Sequence, residues 1–155
     1  MVENIFWVFL ASTLPILEIR GAIPLGLLVF KMNPILVYLV ALLGNFIIVP
    51  LLLIFLKRFS EFLMHKWYFF NRLLNFVFSR TRNKSVRKFE KWGYWALYVL
   101  VAIPLPLTGA WTGSVASFLF EVPFKKSLFI IFLGIMTAGL VVLLLSYLGG
   151  EVLAN

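Results

Sequence analysis

The chain has no cysteine. That excludes disulfides, thiolate catalysis and cysteine metal sites, and leaves the redox compartment unread. A single histidine, His65, gives no basis for a histidine metal site. Acidic residues are scarce: six Asp and Glu stand against fourteen Lys and Arg in 155 residues. GxSxG, Walker-type loops, HExxH and paired carboxylates are all missing, so the expectation is a protein that is not an enzyme and holds no metal or cofactor. No basic residue precedes Arg20. Met1–Leu17 therefore lacks the positive start of a secretory signal peptide.

What the chain does have is apolar surface. It is 63% hydrophobic with a mean hydropathy of +1.03. A soluble domain of this length cannot hide that much. We read it as an all-α, multi-pass integral membrane protein of the cell membrane. The net charge of +8 is concentrated. Apart from Arg20, Lys31, Lys125 and Lys126, every Lys and Arg lies between Lys57 and Lys91. That segment sits between membrane segments, so anionic lipid headgroups are its expected partners and nucleic acid is not.

Two interrupted stretches organise the rest. The first is TLPILEIRGAIP, Thr13–Pro24, which sets Glu18 and Arg20 inside an apolar run punctuated by Pro15, Gly21, Pro24 and Gly26. Proline removes a backbone donor and clashes with the preceding turn. In lipid such a break survives only where protein or a wet cavity surrounds it. The second is AIPLPLTGAWTGSVAS, Ala102–Ser117, broken by Pro104, Pro106, Gly109 and Gly113. Phe30 and Phe120, and Gly44 and Gly134, correspond at one constant offset, while Pro34 and Pro123 fall one register apart. This layout reads as an internal repeat. Paired interrupted segments in two halves point to a transporter binding site.

The expected elements follow. Ile5–Leu17 reaches about 20 Å, short of the ~30 Å hydrocarbon core. Residues 4–30 are either one kinked span or a re-entrant hairpin turning back at Glu18–Pro24. Ile35–Leu56 is a full span, kinked at Pro50 and closed by Lys57 and Arg58. Residues 57–91 form a connector, with an amphipathic helix whose apolar positions run from Phe59 to Val77, then the polybasic Arg80–Lys91. Trp92–Tyr98 supplies interfacial aromatics. Ser127–Leu148 is the second full span. The connector lies inside by the positive-inside rule. Re-entrant hairpins then also place Lys125 and Lys126 inside and the N-terminus outside. Only Lys31 opposes that arrangement, so we prefer it to four plain spans. The expected fold is thus one membrane domain of two inverted-topology repeats, residues 1–56 and 92–155. Each repeat is a re-entrant helical hairpin plus a transmembrane helix, and the amphipathic basic connector joins them.

Candidate site residues lie at the two breaks. A carboxyl in a low-dielectric site can take and release a proton near neutral pH, which makes Glu18 the expected proton carrier. The plainer alternative is a static pair with Arg20, which needs a non-helical tip because i and i+2 do not face each other on a helix. Arg20 can instead meet an anionic headgroup. Pro24 and Pro104 shape the breaks. Thr108, Gly109, Thr112, Gly113 and Ser114 offer hydroxyls and backbone groups to a ligand, unless they simply bond their own backbone and permit packing. Trp111 can contact an apolar ligand part. Asn45 reads as an interhelical hydrogen bond, and His65 as a solvated residue.

LPILEIRGAIPLG together with AIPLPLTGAWTGS resembles the small multi-drug export family of prokaryotic membrane proteins, and more distantly the DedA/VTT group. That resemblance covers nearly the whole chain. It implies two facing re-entrant hairpins, with Glu18 at the acid of the first and Pro104 in the proline region of the second. Where the wider group has arginines around that proline, this chain has Leu, Thr and Ala. The resemblance therefore does not carry lipid-phosphate binding over by the same means. The expected function is a small exporter, proton-coupled, of an amphipathic or lipid substrate, working as a homodimer. The alternatives are a lipid or lipid-phosphate flippase or scramblase, and a non-transporting membrane scaffold.

Overall fold

A computed structural model describes residues 2–66, 93–105 and 108–154. Everything regular in it is helical, and the described residues contain no strand. The elements are α1 (Val2–Thr13), α2 (Glu18–Pro24), a π-helical turn (Leu25–Val29), α3 (Pro34–Lys66), α4 (Gly93–Ala102), α5 (Ala110–Leu119) and α6 (Phe124–Ala154).

The breaks have local causes. Pro15 cannot continue α1, since its ring would meet the Ala11 carbonyl one turn back. That carbonyl takes the Leu14 amide instead, at 3.3 Å. Ser12 and Thr13 bond back to the Phe9 and Leu10 carbonyls at 2.7 Å each. The first turnaround is therefore Leu14–Leu17. Glu18–Pro24 is not the tip but a helix of seven residues. Pro24 sits at its last position, and its missing amide is followed by the wider π turn, closed by Phe30 N–H to Leu25 O at 3.1 Å. In the second half α4 stops at Ala102, ahead of Pro104. The chain becomes helical again only at Ala110.

At both breaks the chain folds back. Val8 on α1 packs against the backbone of Gly26, beyond the first break. Val101 on α4 packs against Gly113 on α5, beyond the second. Each return arm ends alike. Phe30 and Phe120 have φ, ψ of −89°, −7° and −91°, 8°, and Lys31 and Glu121 follow with φ of 50° and 53°. The long helices then begin at Pro34 and Phe124. Asn33 caps α3 through its Oδ1, which accepts the Ile35 amide at 3.0 Å. Pro34 sits at the first helical position, where no donor is needed.

The long helices each carry a 26-residue apolar stretch, Pro34–Phe59 and Phe124–Gly149. At ~1.5 Å per residue either exceeds the ~30 Å hydrocarbon core. The first apolar stretch ends at Phe59, next to the expected close at Lys57 and Arg58, while α3 itself runs on to Lys66. Lys and Arg are good helix formers, and charge ends the apolar stretch without ending the helix. Pro50 lies within α3, which continues through it. The rest of the expected amphipathic helix, from Trp67, and the polybasic run lie outside the described residues.

The short return arms cross between halves. α2 packs on α6 as well as α3, and α5 packs on α3 as well as α6. The core between them holds Ile19, Ile23, Val37, Ala41, Val49, Val101, Ile131 and Ile135. Phe46 and Phe132 meet edge to face at 4.8 Å, and Tyr38 donates to the Met136 carbonyl at 3.1 Å. Gly44 lets Phe9 and Ser12 of α1 approach α3, and Gly134 lets Tyr98 and Val101 of α4 approach α6. A methyl at Gly44 would stand 2.7 Å from the Phe9 carbonyl, which cannot swing aside. Gly44→Ala should therefore lower stability by about 1–3 kcal/mol, the usual cost of overpacking. Gly149→Ala, with nothing within 4 Å, should not. Thermal melting in detergent checks both, and an unchanged Gly44→Ala midpoint would contradict the packing.

Candidate functional site

The two breaks meet, and each supplies what the other lacks. Glu18 opens α2 and is only 4% exposed. Its φ is 46°, the left-handed region that a residue with a side chain occupies at a cost of about 1–3 kcal/mol. Its Oε1 accepts the backbone N–H of Trp111, in the first turn of α5, at 3.1 Å. Free amides and the helix dipole both favour a carboxylate there. Its Oε2 is buried with no hydrogen-bond partner.

That oxygen lies against Gly109, the residue before α5. Gly109 has φ of 129°, which L side chains rarely adopt. A methyl there would also overlap the Glu18 carboxylate and stand 3.0 Å from Arg20 Nη2. Two independent constraints thus require glycine.

Arg20, two residues along α2, reaches the same break. Its Nη1 donates to the Leu105 carbonyl, and its Nη2 donates to Thr108 Oγ1 at 2.8 Å. Thr108 Oγ1 in turn lies 2.8 Å from both the Ile103 and the Leu105 carbonyls and can donate to one of them. Within the break these carbonyls also accept backbone amides, Ile103 O from Leu105 at 2.9 Å and Leu105 O from Thr108 at 3.2 Å. Arg20 Nε is buried without a partner. The indole Nε1 of Trp111 donates to the Thr13 carbonyl, at the end of α1, at 3.1 Å. So Glu18 and Arg20 direct their recorded hydrogen bonds at the opposite half, converging on Gly109.

The other expected site residues divide. Pro104 lies in the second break and ends α4 one residue before the Leu105 carbonyl that Arg20 takes. Pro24 closes α2 away from these contacts. Thr112 bonds back to the Gly109 carbonyl at 3.3 Å, and Ser114 to the Ala110 carbonyl at 2.7 Å. Gly113 is where Val101 and Ile131 close on α5. Asn45, 1% exposed, does not show the expected interhelical bond at Oδ1, which is unpartnered. The Leu105 and Thr13 carbonyls were not legible as site atoms, because a backbone acceptor leaves no mark on the residue type. Among the described residues no three His, Asp or Glu side chains gather in a way that could hold a metal.

Among the described residues everything regular is helical, and two helices are long and apolar enough to cross a membrane; with the family match that follows, they define a membrane protein by class. A family model described as "Putative small multi-drug export protein" matches residues 18–141, and the chain belongs to that family. The match begins at Glu18, just after the first turnaround, and takes in Arg20 and the second break. The family is named for export and not for a catalysed reaction. No curated protein and no solved structure matches the chain.

The Arg20–Thr108 bond is a side-chain pair between the two halves. A double-mutant cycle of Arg20→Met and Thr108→Val should give a coupling of about 1–3 kcal/mol, as for hydrogen bonds to charged groups. Melting of the four proteins in detergent measures it, and strict additivity would contradict the contact.

Proposed function

We propose that this chain is a small membrane exporter in which substrate and a proton are handled where the two breaks meet, near the membrane midplane. Two inverted-topology repeats would build it, each a re-entrant hairpin followed by a transmembrane helix. Several observations support this reading. α1 and α5 have 12 and 10 residues, about 18 and 15 Å, too short to cross. The Val8–Gly26 and Val101–Gly113 contacts fold the arms back. The matched backbone at 30–31 and 120–121 favours a repeat, and the breaks face each other.

The observation that carries the function is Glu18, a buried carboxyl with one oxygen on a helix-start amide and the other unpartnered. An ionisable residue so placed in a membrane protein is a functional site by default. Ionised, it attaches the first half to the start of α5. Protonated, that attachment weakens, because the charge that the amide and the helix dipole favour is gone. Proton uptake at Glu18 would therefore loosen the joint between the halves, and release would tighten it. Arg20 is the positioning residue, holding the second break against the first.

The lipid-phosphate reading has less support here. Both terminal nitrogens of Arg20 already serve Leu105 and Thr108. Two of its five N–H donors are thereby taken, and Nε is buried without a partner.

Reconstituted vesicles with an imposed pH gradient test the proposal, using ethidium as the transported probe and trapped pyranine to report protons. The wild type should move both. Glu18→Gln should fall to the rate of protein-free vesicles while still melting cooperatively. A folded Glu18→Gln protein with full flux would refute the role of Glu18. A wild type without either flux would favour the scaffold, or the lipid reading if labelled anionic lipid is scrambled instead.

A further inference from the structure

Away from the breaks, α4 and α6 enclose a groove of about 380 Å³, lined by Tyr94, Trp95, Tyr98, Ile130, Leu133 and Thr137. Its volume lies within the range of small-ligand sites. We propose that it is a binding site for one anionic phospholipid of the surrounding bilayer, headgroup at Lys126 and acyl chain along the groove. The proposal needs the chain to be in a membrane but does not depend on what Glu18 does.

Three features select that occupant. The first is charge at one end. Lys126, in the first turn of α6, places Nζ 4.9 Å from the centre of the Tyr94 ring and donates to the Tyr94 hydroxyl at 3.2 Å. A phenol holds an ammonium in position without neutralising it, so the cation stays available to a phosphate. The second is length. Lys126, Ile130, Leu133 and Thr137 follow at helical spacing, so they share one face of α6. From first to last they span about 16 Å, a distance that suits much of an acyl chain. The third is an apolar bed in which the Tyr98 and Thr137 hydroxyls are already paired. Tyr98 and Thr137 hydroxyls bond each other at 2.9 Å, and Thr137 also bonds back to the Leu133 carbonyl at 2.9 Å. A hydrocarbon laid over them strands no donor. Trp95, 64% exposed, flanks the groove. Amphipathic rings of this kind are enriched at the headgroup level.

Lys125 provides the internal control. It is the neighbouring cation on the same helix end, without the recorded Tyr94 contact. A general attraction to anionic lipid would depend on both lysines alike, whereas a site depends on Lys126.

The test is fluorescence quenching of the full-length protein in phosphatidylcholine vesicles. They carry a small fraction of phosphatidylglycerol or phosphatidylcholine brominated in mid-chain. The contribution of Trp95 is isolated by difference from Trp95→Phe. Brominated phosphatidylglycerol should quench the Trp95 contribution at about one-fifth the mole fraction that brominated phosphatidylcholine requires, the preference one basic contact provides. Lys126→Gln should abolish that preference, and Lys125→Gln should keep it. Equal quenching by the two lipids would overturn the site. So would equal losses in both lysine variants. Protection of Trp95 from both lipids would assign the groove to a second copy of the chain and would also overturn it.

Discussion

Two broken helices can sit inside one small membrane protein only if their loose backbone groups find partners, because lipid offers none. Here the partners are each other. Thr13 O takes the Trp111 indole, Leu105 O takes Arg20, and the Trp111 amide takes Glu18. Each break closes part of its own backbone, through Leu14 N–H to Ala11 O and Thr108 N–H to Leu105 O, and the contacts between the halves close more of it. That mutual closure places a carboxyl and a guanidinium where no hydrocarbon interior would otherwise accept them.

The packing around the joint serves the same end. Crossing the return arms, α2 onto α6 and α5 onto α3, makes the halves interlock. Residues at the contact planes are small or β-branched: Gly44, Gly134, Val37, Val49, Val101 and Ile131. Close approach of backbones is what association in lipid rewards, since apolar surface alone gives no preference for protein over lipid. Gly109 belongs to both arguments. It provides a backbone angle that other residues avoid, and it lets the Glu18 carboxylate come against the chain. Under the proposed reading the joint is also the moving part. A change of charge at Glu18 acts directly on the contact between the halves.

Much of this was legible in the sequence. The helical class, the two full spans and the breaks came from apolar runs and proline positions. Glu18 and Arg20 stood out because charge is rare there, and Thr108 and Gly109 because they follow Pro104. The turnaround was placed too late. Pro24 and Gly21 suggest a tip, but the clash that ends α1 belongs to Pro15, and a helix of seven residues fits between. Lys57 and Arg58 marked the end of the first apolar stretch, and the helical spacing that begins at Phe59 continues the same helix to Lys66. Thr112, Gly113 and Ser114 looked like ligand groups from their types. In the structure the two hydroxyls bond back to their own backbone, and Gly113 meets Val101. The partners of Arg20 and Trp111 could not be read at all, since carbonyls are common to every residue.

The orientation of the breaks in the membrane is the point on which the proposed mechanism stands. A chain with no cysteine allows it to be measured directly. Single cysteines at Asn4, Lys84, Lys126 and Asn155, each treated in intact cells with a membrane-impermeant maleimide, report the side of four positions. The account requires Asn4 and Asn155 to label, with Lys84 and Lys126 protected until the cells are opened. Labelling at Lys126 with protection at Asn4 would mean four plain crossings, and it would contradict the two facing hairpins.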